Sequence, residues 1–106
     1  MTMQEITASE LAALGSTAVV LDVREDGEYA EAHLAGSTHI PMSEFVNRLA
    51  EVPREDTLYV LCHAGGRSAQ VTAYLEQQGF DAINVAGGIS AWQAEGRPVE
   101  TGAARV

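Results

Sequence analysis

Short apolar runs alternate along this chain with segments of helical spacing. Ala18-Val-Val-Leu-Asp22-Val23, Thr57-Leu-Tyr-Val-Leu-Cys62 and Ala82-Ile-Asn-Val85 are compact, rich in branched residues and bounded by turn formers, so each predicts a buried strand. Thr38-His39-Ile40, stopped by Pro41, predicts a shorter one. Thr7 to Gly15 predicts a short capped helix, with Glu10 three residues after Thr7 as in a capping box and Gly15 at the exit. A second short helix is expected from Asp26 through Tyr29 and His33, broken by Gly36. A third should run from a capping Ser43 through Phe45, Val46, Leu49 and Val52, ahead of the polar turn Pro53–Asp56. From Ser68 the stripe Val71, Tyr74, Leu75 predicts a fourth helix ending at Gly79. Gly87-Gly88 turn into a fifth, with Ile89 and Trp92 on one face and a stop at Gly96 and Pro98.

Strands alternating with helices predict an α/β fold, a small central parallel sheet flanked by helices on both faces. In such a sheet ligands gather beyond the carboxyl ends of the strands. Cys62, Arg24 and Gly87-Gly88 all follow strands, so they should converge on one rim. No repeat, linker or low-complexity stretch divides the chain, and its 106 residues suit one domain over 1–100 with a frayed tail at 101–106.

Composition narrows the partners. The apolar fraction of 46% and charged fraction of 20% are those of an ordinary globular protein. The net charge of −9, with six arginines and no lysine, leaves no basic patch for nucleic acid or an anionic membrane. It also disfavours a highly charged anionic substrate unless a local field dominates. One cysteine excludes an internal disulfide and any paired-cysteine zinc or redox site, and it points to a reducing compartment. The start of the chain does not read as a signal peptide and no apolar run could span a bilayer, so the expected location is cytoplasmic.

Chemistry concentrates after the central strand, in Cys62-His63-Ala64-Gly65-Gly66-Arg67-Ser68. A lone cysteine ending an apolar strand is ordinarily a small core residue. The residues that follow argue otherwise. Two glycines let the backbone curl back on itself, Arg67 brings a planar cationic fork, and Ser68 can cap the next helix and offer its hydroxyl to the sulfur. A strand–loop–helix junction aims several N–H groups at one point, which favours thiolate over thiol. Four residues separate Cys62 from Arg67. A cysteine-type phosphatase loop is one residue longer, and the difference removes up to about 3.3–3.6 Å of contour. The shorter ring suits one extra sulfur on the cysteine better than a phosphoryl group.

Other clusters read as structural. Asp22, Glu25, Asp26 and Glu28 crowd a turn, where capping and pairing with Arg24 are their expected work. His33, His39 and His63 match no standard ligand spacing, so no metal is expected. Trp92 is expected in the core.

Over almost its whole length the chain resembles the single-domain rhodanese-like (thiosulfate sulfurtransferase) family. Leu21-Asp22-Val23-Arg24-Glu25 through Glu28-Tyr29, His33-Leu-Ala-Gly36 and Ile40-Pro41 resembles its first signature, with Ala32 and Ser37 where the family usually has Gly and Ala. Cys62 to Ser68 resembles its active-site loop, and Gly87-Gly88-Ile-Ser-Ala-Trp92 with Gly96 and Pro98 its closing signature. The resemblance implies a sulfurtransferase in which Cys62 is the nucleophile and carries a persulfide. His63, Ala64, Gly65, Gly66, Arg67 and Ser68 would bind the donor, while Asp22, Arg24, His33, Gly87, Gly88 and Trp92 would be structural. It implies no metal or organic cofactor, a small-molecule sulfur donor such as thiosulfate, and a cyanide or thiol acceptor, which could be a protein thiol. The alternatives are a persulfide carrier with little turnover in a sulfur relay and, behind it, a cysteine phosphatase or arsenate reductase.

Overall fold

The computed structural model describes residues 3–102. Five strands form one sheet: β1 (Glu5–Ile6), β2 (Val19–Asp22), β3 (Thr38–His39), β4 (Leu58–Leu61) and β5 (Ala82–Val85). The order is β1-β5-β4-β2-β3, and every pairing is parallel. The helices are α1 (Ala8–Leu14), α2 (Asp26–Glu31), α3 (Gly66–Gln77) and α4 (Gly88–Ala94).

Strand alternation divides the core. Leu58, Val60 and Cys62 face a cluster with Leu21, Phe45, Val52, Val71 and Leu75, while Leu61 joins Leu11, Leu34, Val85 and Ile89, with Tyr59 and Trp92 packed against that second cluster. The chain leaves β2 towards β3 and leaves β4 towards β5, in opposite directions across the sheet. The crevice between the ends of β2 and β4 is therefore the topological switch point, the ligand position of open parallel sheets. Cys62 and Arg24 both sit there.

Several sequence expectations need correction. α1 is capped as its sequence predicts, with Thr7 and Glu10 bonded reciprocally. β1, absent from the sequence pattern, is an edge strand of two residues, too short to show a period. The second helix stops at Glu31, short of His33, because Ala32 turns extended and gives its carbonyl to Arg24. The region from Ser43 to Val52 forms 3₁₀ turns, Met42–Glu44 and Val46–Glu51, rather than an α-helix. Ser43 caps neither of them; its hydroxyl donates to Glu25 at 2.7 Å. Ser68 is not the cap of α3, which begins at Gly66 behind Gly65.

Glu100 and His33 exchange two backbone bonds of 2.8 Å, and the Gly102 N–H donates to Ala30 at 2.8 Å. Residues 103–106 of the expected tail lie outside the described residues. No helix among the described residues is long and apolar enough to cross a membrane.

Candidate active site

The loop from Cys62 to Gly65 is shaped by what its carbonyls do. The first amides of α4 hold two of them: Ile89 N–H donates to the Cys62 carbonyl and Ser90 N–H to that of His63, both at 2.9 Å. In a trans peptide the N–H points opposite to the C=O. Tying these carbonyls back to α4 therefore turns the amides of His63 and Ala64 the other way. Gly65, at φ 110°, completes the curl and lies so close to α4 that a Cβ there would be 3.3 Å from the Gly87 nitrogen.

Donors converge on the sulfur as a result. Gly65 N–H reaches Cys62 Sγ at 3.0 Å and the Ser68 hydroxyl lies 3.2 Å away. Cys62 is 1% exposed, and that burial pushes its thiol up. The Ser68 hydroxyl and the backbone N–H groups of Ser68, Gly65 and Ala64 together outweigh burial, so the net displacement is downward. The cysteine is thus buried, as a core residue would be, yet ringed by donors that a core residue would not need.

Ser68 is itself fully buried, and its Oγ lies 2.6 Å from Asn84 Oδ1. Sequence reading missed Asn84. It was one polar residue inside an apolar run, and the available signal was its parity: alternation places it on the same inward face of β5 as Ala82.

Above the loop lies a cleft of about 460 Å³ lined by Arg24, Glu28, Glu31, His63, Arg67 and Gln93 among others. Cys62 is not among its lining residues. His63 is exposed on the rim. Arg67 does not stand free: both terminal nitrogens bind the Glu28 carboxylate at 2.7 Å, a fork-on-fork pair. Those bonds from Arg67 pull the Glu28 carboxyl down to about 2 against partial burial, and the Glu25 N–H assists. A depressed carboxyl loses its charge only as pH falls through that folded value, so the bridge persists from about pH 2 upward. More than a third of each partner is solvent-exposed, so the pair orients Arg67 more than it stabilises the fold.

Arg24 has a different task. Buried with Asp22, it binds both carboxylate oxygens and also donates to the Glu28 and Ala32 carbonyls at 3.1 and 2.6 Å. It clips α2 to the end of β2, and so sets Glu28 opposite Arg67. His33 and His39 stack on Tyr29, with ring centroids 4.1 and 4.2 Å apart, and line a different cleft from His63. Among the described residues no three His, Cys, Asp or Glu side chains gather as a metal set would. Trp92 donates its indole N–H to the Pro98 carbonyl at 2.9 Å and packs on the second cluster.

The model of the rhodanese-like domain matches residues 7–95. A protein named sulfurtransferase from Allochromatium vinosum is 34% identical over 76% of this chain and 77% of its own. Thiosulfate sulfurtransferase GlpE of Actinobacillus pleuropneumoniae is 33% identical over 79% of each chain. The crystal structure of a rhodanese-related protein from Thermoplasma volcanium superposes with a TM-score of 0.88 at 36% identity, covering 92% of this chain and 97% of that one. A parallel sheet with a cysteine loop at its switch point, and a family match across nearly the whole domain, make this chain a member of the rhodanese-like sulfurtransferase family.

Proposed function

We propose that the domain moves a sulfane sulfur from thiosulfate, or a donor of similar chemistry, through a persulfide on Cys62. The observation that carries this reading is the ring of donors on Sγ, from Gly65, Ser68 and Ala64, which favours anionic sulfur in a buried position. In the first step the Cys62 thiolate attacks the outer sulfur of thiosulfate. The sulfur–sulfur bond of the donor breaks, its electron pair leaves with sulfite, and Cys62 is left as Cys–S–S⁻. In the second step cyanide or a thiolate attacks the terminal sulfur and the electron pair returns to Sγ, giving thiocyanate or a new persulfide. This is double displacement through a covalent intermediate. The amides from His63 to Ser68 hold the negative charge in both resting forms, and Arg67 assists donor binding.

Treating the protein with thiosulfate and measuring its intact mass tests the intermediate. The mass should rise by one sulfur atom, and later addition of cyanide should remove it and release thiocyanate. No gain in mass would overturn the assignment. Sulfur uptake without appreciable turnover would shift it to a persulfide carrier loaded by a protein donor. That second reading is favoured by the buried thiol and by the neutralisation of Arg67 by Glu28.

The same pair supplies a kinetic test. Arg67→Ala should raise the KM for thiosulfate about tenfold or more, the worth of a hydrogen bond to a charged group, without unfolding the domain. Glu28→Gln should lower it several-fold by freeing the guanidinium. An unchanged KM in both variants would remove Arg67 from donor binding.

A further inference from the structure

Behind the loop, a chain of polar side chains, buried as far as Asn84, runs from the sulfur across β5 to exposed Glu5 at the edge of the sheet. Ser68 Oγ stands between Cys62 Sγ at 3.2 Å and Asn84 Oδ1 at 2.6 Å. Asn84, 1% exposed, sends its Nδ2 group to the Glu5 carboxylate at 2.9 Å and towards the Gly65 carbonyl at 3.4 Å. Both of those partners only accept, which fixes the carboxamide with its nitrogen away from Ser68 and its oxygen facing it. The network has no slack, because a serine hydroxyl carries one proton. Asn84 Oδ1 can only accept. Ionised Sγ can only accept too.

We propose that Asn84 is a positioning residue that holds the Ser68 proton away from the sulfur until Cys62 ionises, and so sets how readily the nucleophile forms. With Cys62 as a thiol, S–H donates to Ser68 Oγ and Ser68 donates to Asn84. When the thiol proton leaves to water, the Ser68 hydroxyl turns to the thiolate and Asn84 Oδ1 loses its donor. Ionisation thus gives up two buried bonds, S–H to Ser68 Oγ and Ser68 to Asn84, for one charge-assisted bond to the sulfur, rather than simply gaining one. Once the charge has moved to the outer sulfur of a persulfide, Sγ needs the proton less and Ser68 can return to Asn84. Asn84 would therefore favour the thiol before sulfur is loaded, and relax after it. This role rests on Cys62 as the reacting group, but its test needs no sulfur transfer.

Because Cys62 is the only cysteine, the ultraviolet absorbance of its thiolate against pH reports this site alone, with Cys62→Ser as the blank. Asn84→Leu, which removes the competing acceptor at similar volume, should lower the midpoint by about one pH unit. Asn84→Asp, a stronger acceptor, should raise it. Ser68→Ala should raise it too, and Asn84→Leu added to Ser68→Ala should then shift nothing further. That last result separates a role exercised through the hydroxyl from a merely structural one. Equal midpoints for the parent and Asn84→Leu, or the same shift with and without Ser68, would overturn the proposal. Should Asn84→Leu fail to fold, a midpoint in Asn84→Asp at or below that of the parent would do the same. Sulfur uptake by mass, measured separately, shows whether the persulfide reading stands.

Discussion

A Cys62→Ser chain is expected to gain no mass from thiosulfate and to form no thiocyanate, yet to melt within a few degrees of the parent. Serine at this position keeps the loop's shape, because its hydroxyl can accept the Gly65 N–H and meet Ser68 as the thiol does. It does not keep the chemistry. A hydroxyl stays protonated where these donors draw out a thiolate, and oxygen cannot hold a sulfane sulfur as a stable persulfide. The loss should be on the order of 10³-fold or more, as when a covalent nucleophile is removed elsewhere. No second thiol exists to take over. Sulfur uptake by this variant would put the intermediate off Cys62 and undo the proposed mechanism.

The second large effect is expected at Gly88, and it falls on the fold and the site together. Gly88 has φ +56°, and a Cβ there would overlap the carbonyl oxygens of Cys62 and His63, the latter at 2.5 Å. Both obstacles are backbone, so no side-chain rotation can clear them. Gly88→Ala should combine left-handed strain with overpacking, a loss of about 2–5 kcal/mol. For a domain of this size that is a fall in Tm on the order of 10 °C or more by circular dichroism. Gly36→Ala is the control: φ is +77°, with nothing within 4 Å of the added carbon. It should show the conformational part alone. Similar melting points for the two variants would mean that α4 does not press on the cysteine loop in solution.

The elements with clear periodicity were legible in the sequence. β2, β4 and β5 stood out as branched apolar runs, and α1 through its capping pair. What escaped was decided by distant contacts. β1 exists because Gln4 and Ile6 carbonyls meet the N–H groups of Asn84 and Ala86, and nothing in two residues announces that pairing. The segment after Ser43 has helical spacing, but Arg48 leaves helical geometry at φ −113°, ψ 17° while its guanidinium bonds Glu44 and Glu51. Within the site, the strand–loop–helix order located Cys62 and the donors around it. The partner of Arg67 could not be read, since Glu28 lies 39 positions away on α2, a helix that tertiary bonds such as the Arg24 clip hold in place. Ser68 reaches the sulfur as its sequence position suggests, but it is not the cap that the same position suggests. Gly65 already ends the turn, which leaves the serine hydroxyl free for Cys62 and Asn84.

The two bonds from the start of α4 to the carbonyls of Cys62 and His63 also bear on endurance. A cradle fastened at its back to a helix that packs into one of the two cores cannot loosen by local fraying. Its amides stay aimed for as long as that helix remains docked. The protein would then meet each donor with its anion-holding geometry already in place, and the capacity to carry sulfur should disappear on heating in the same step as the tertiary structure.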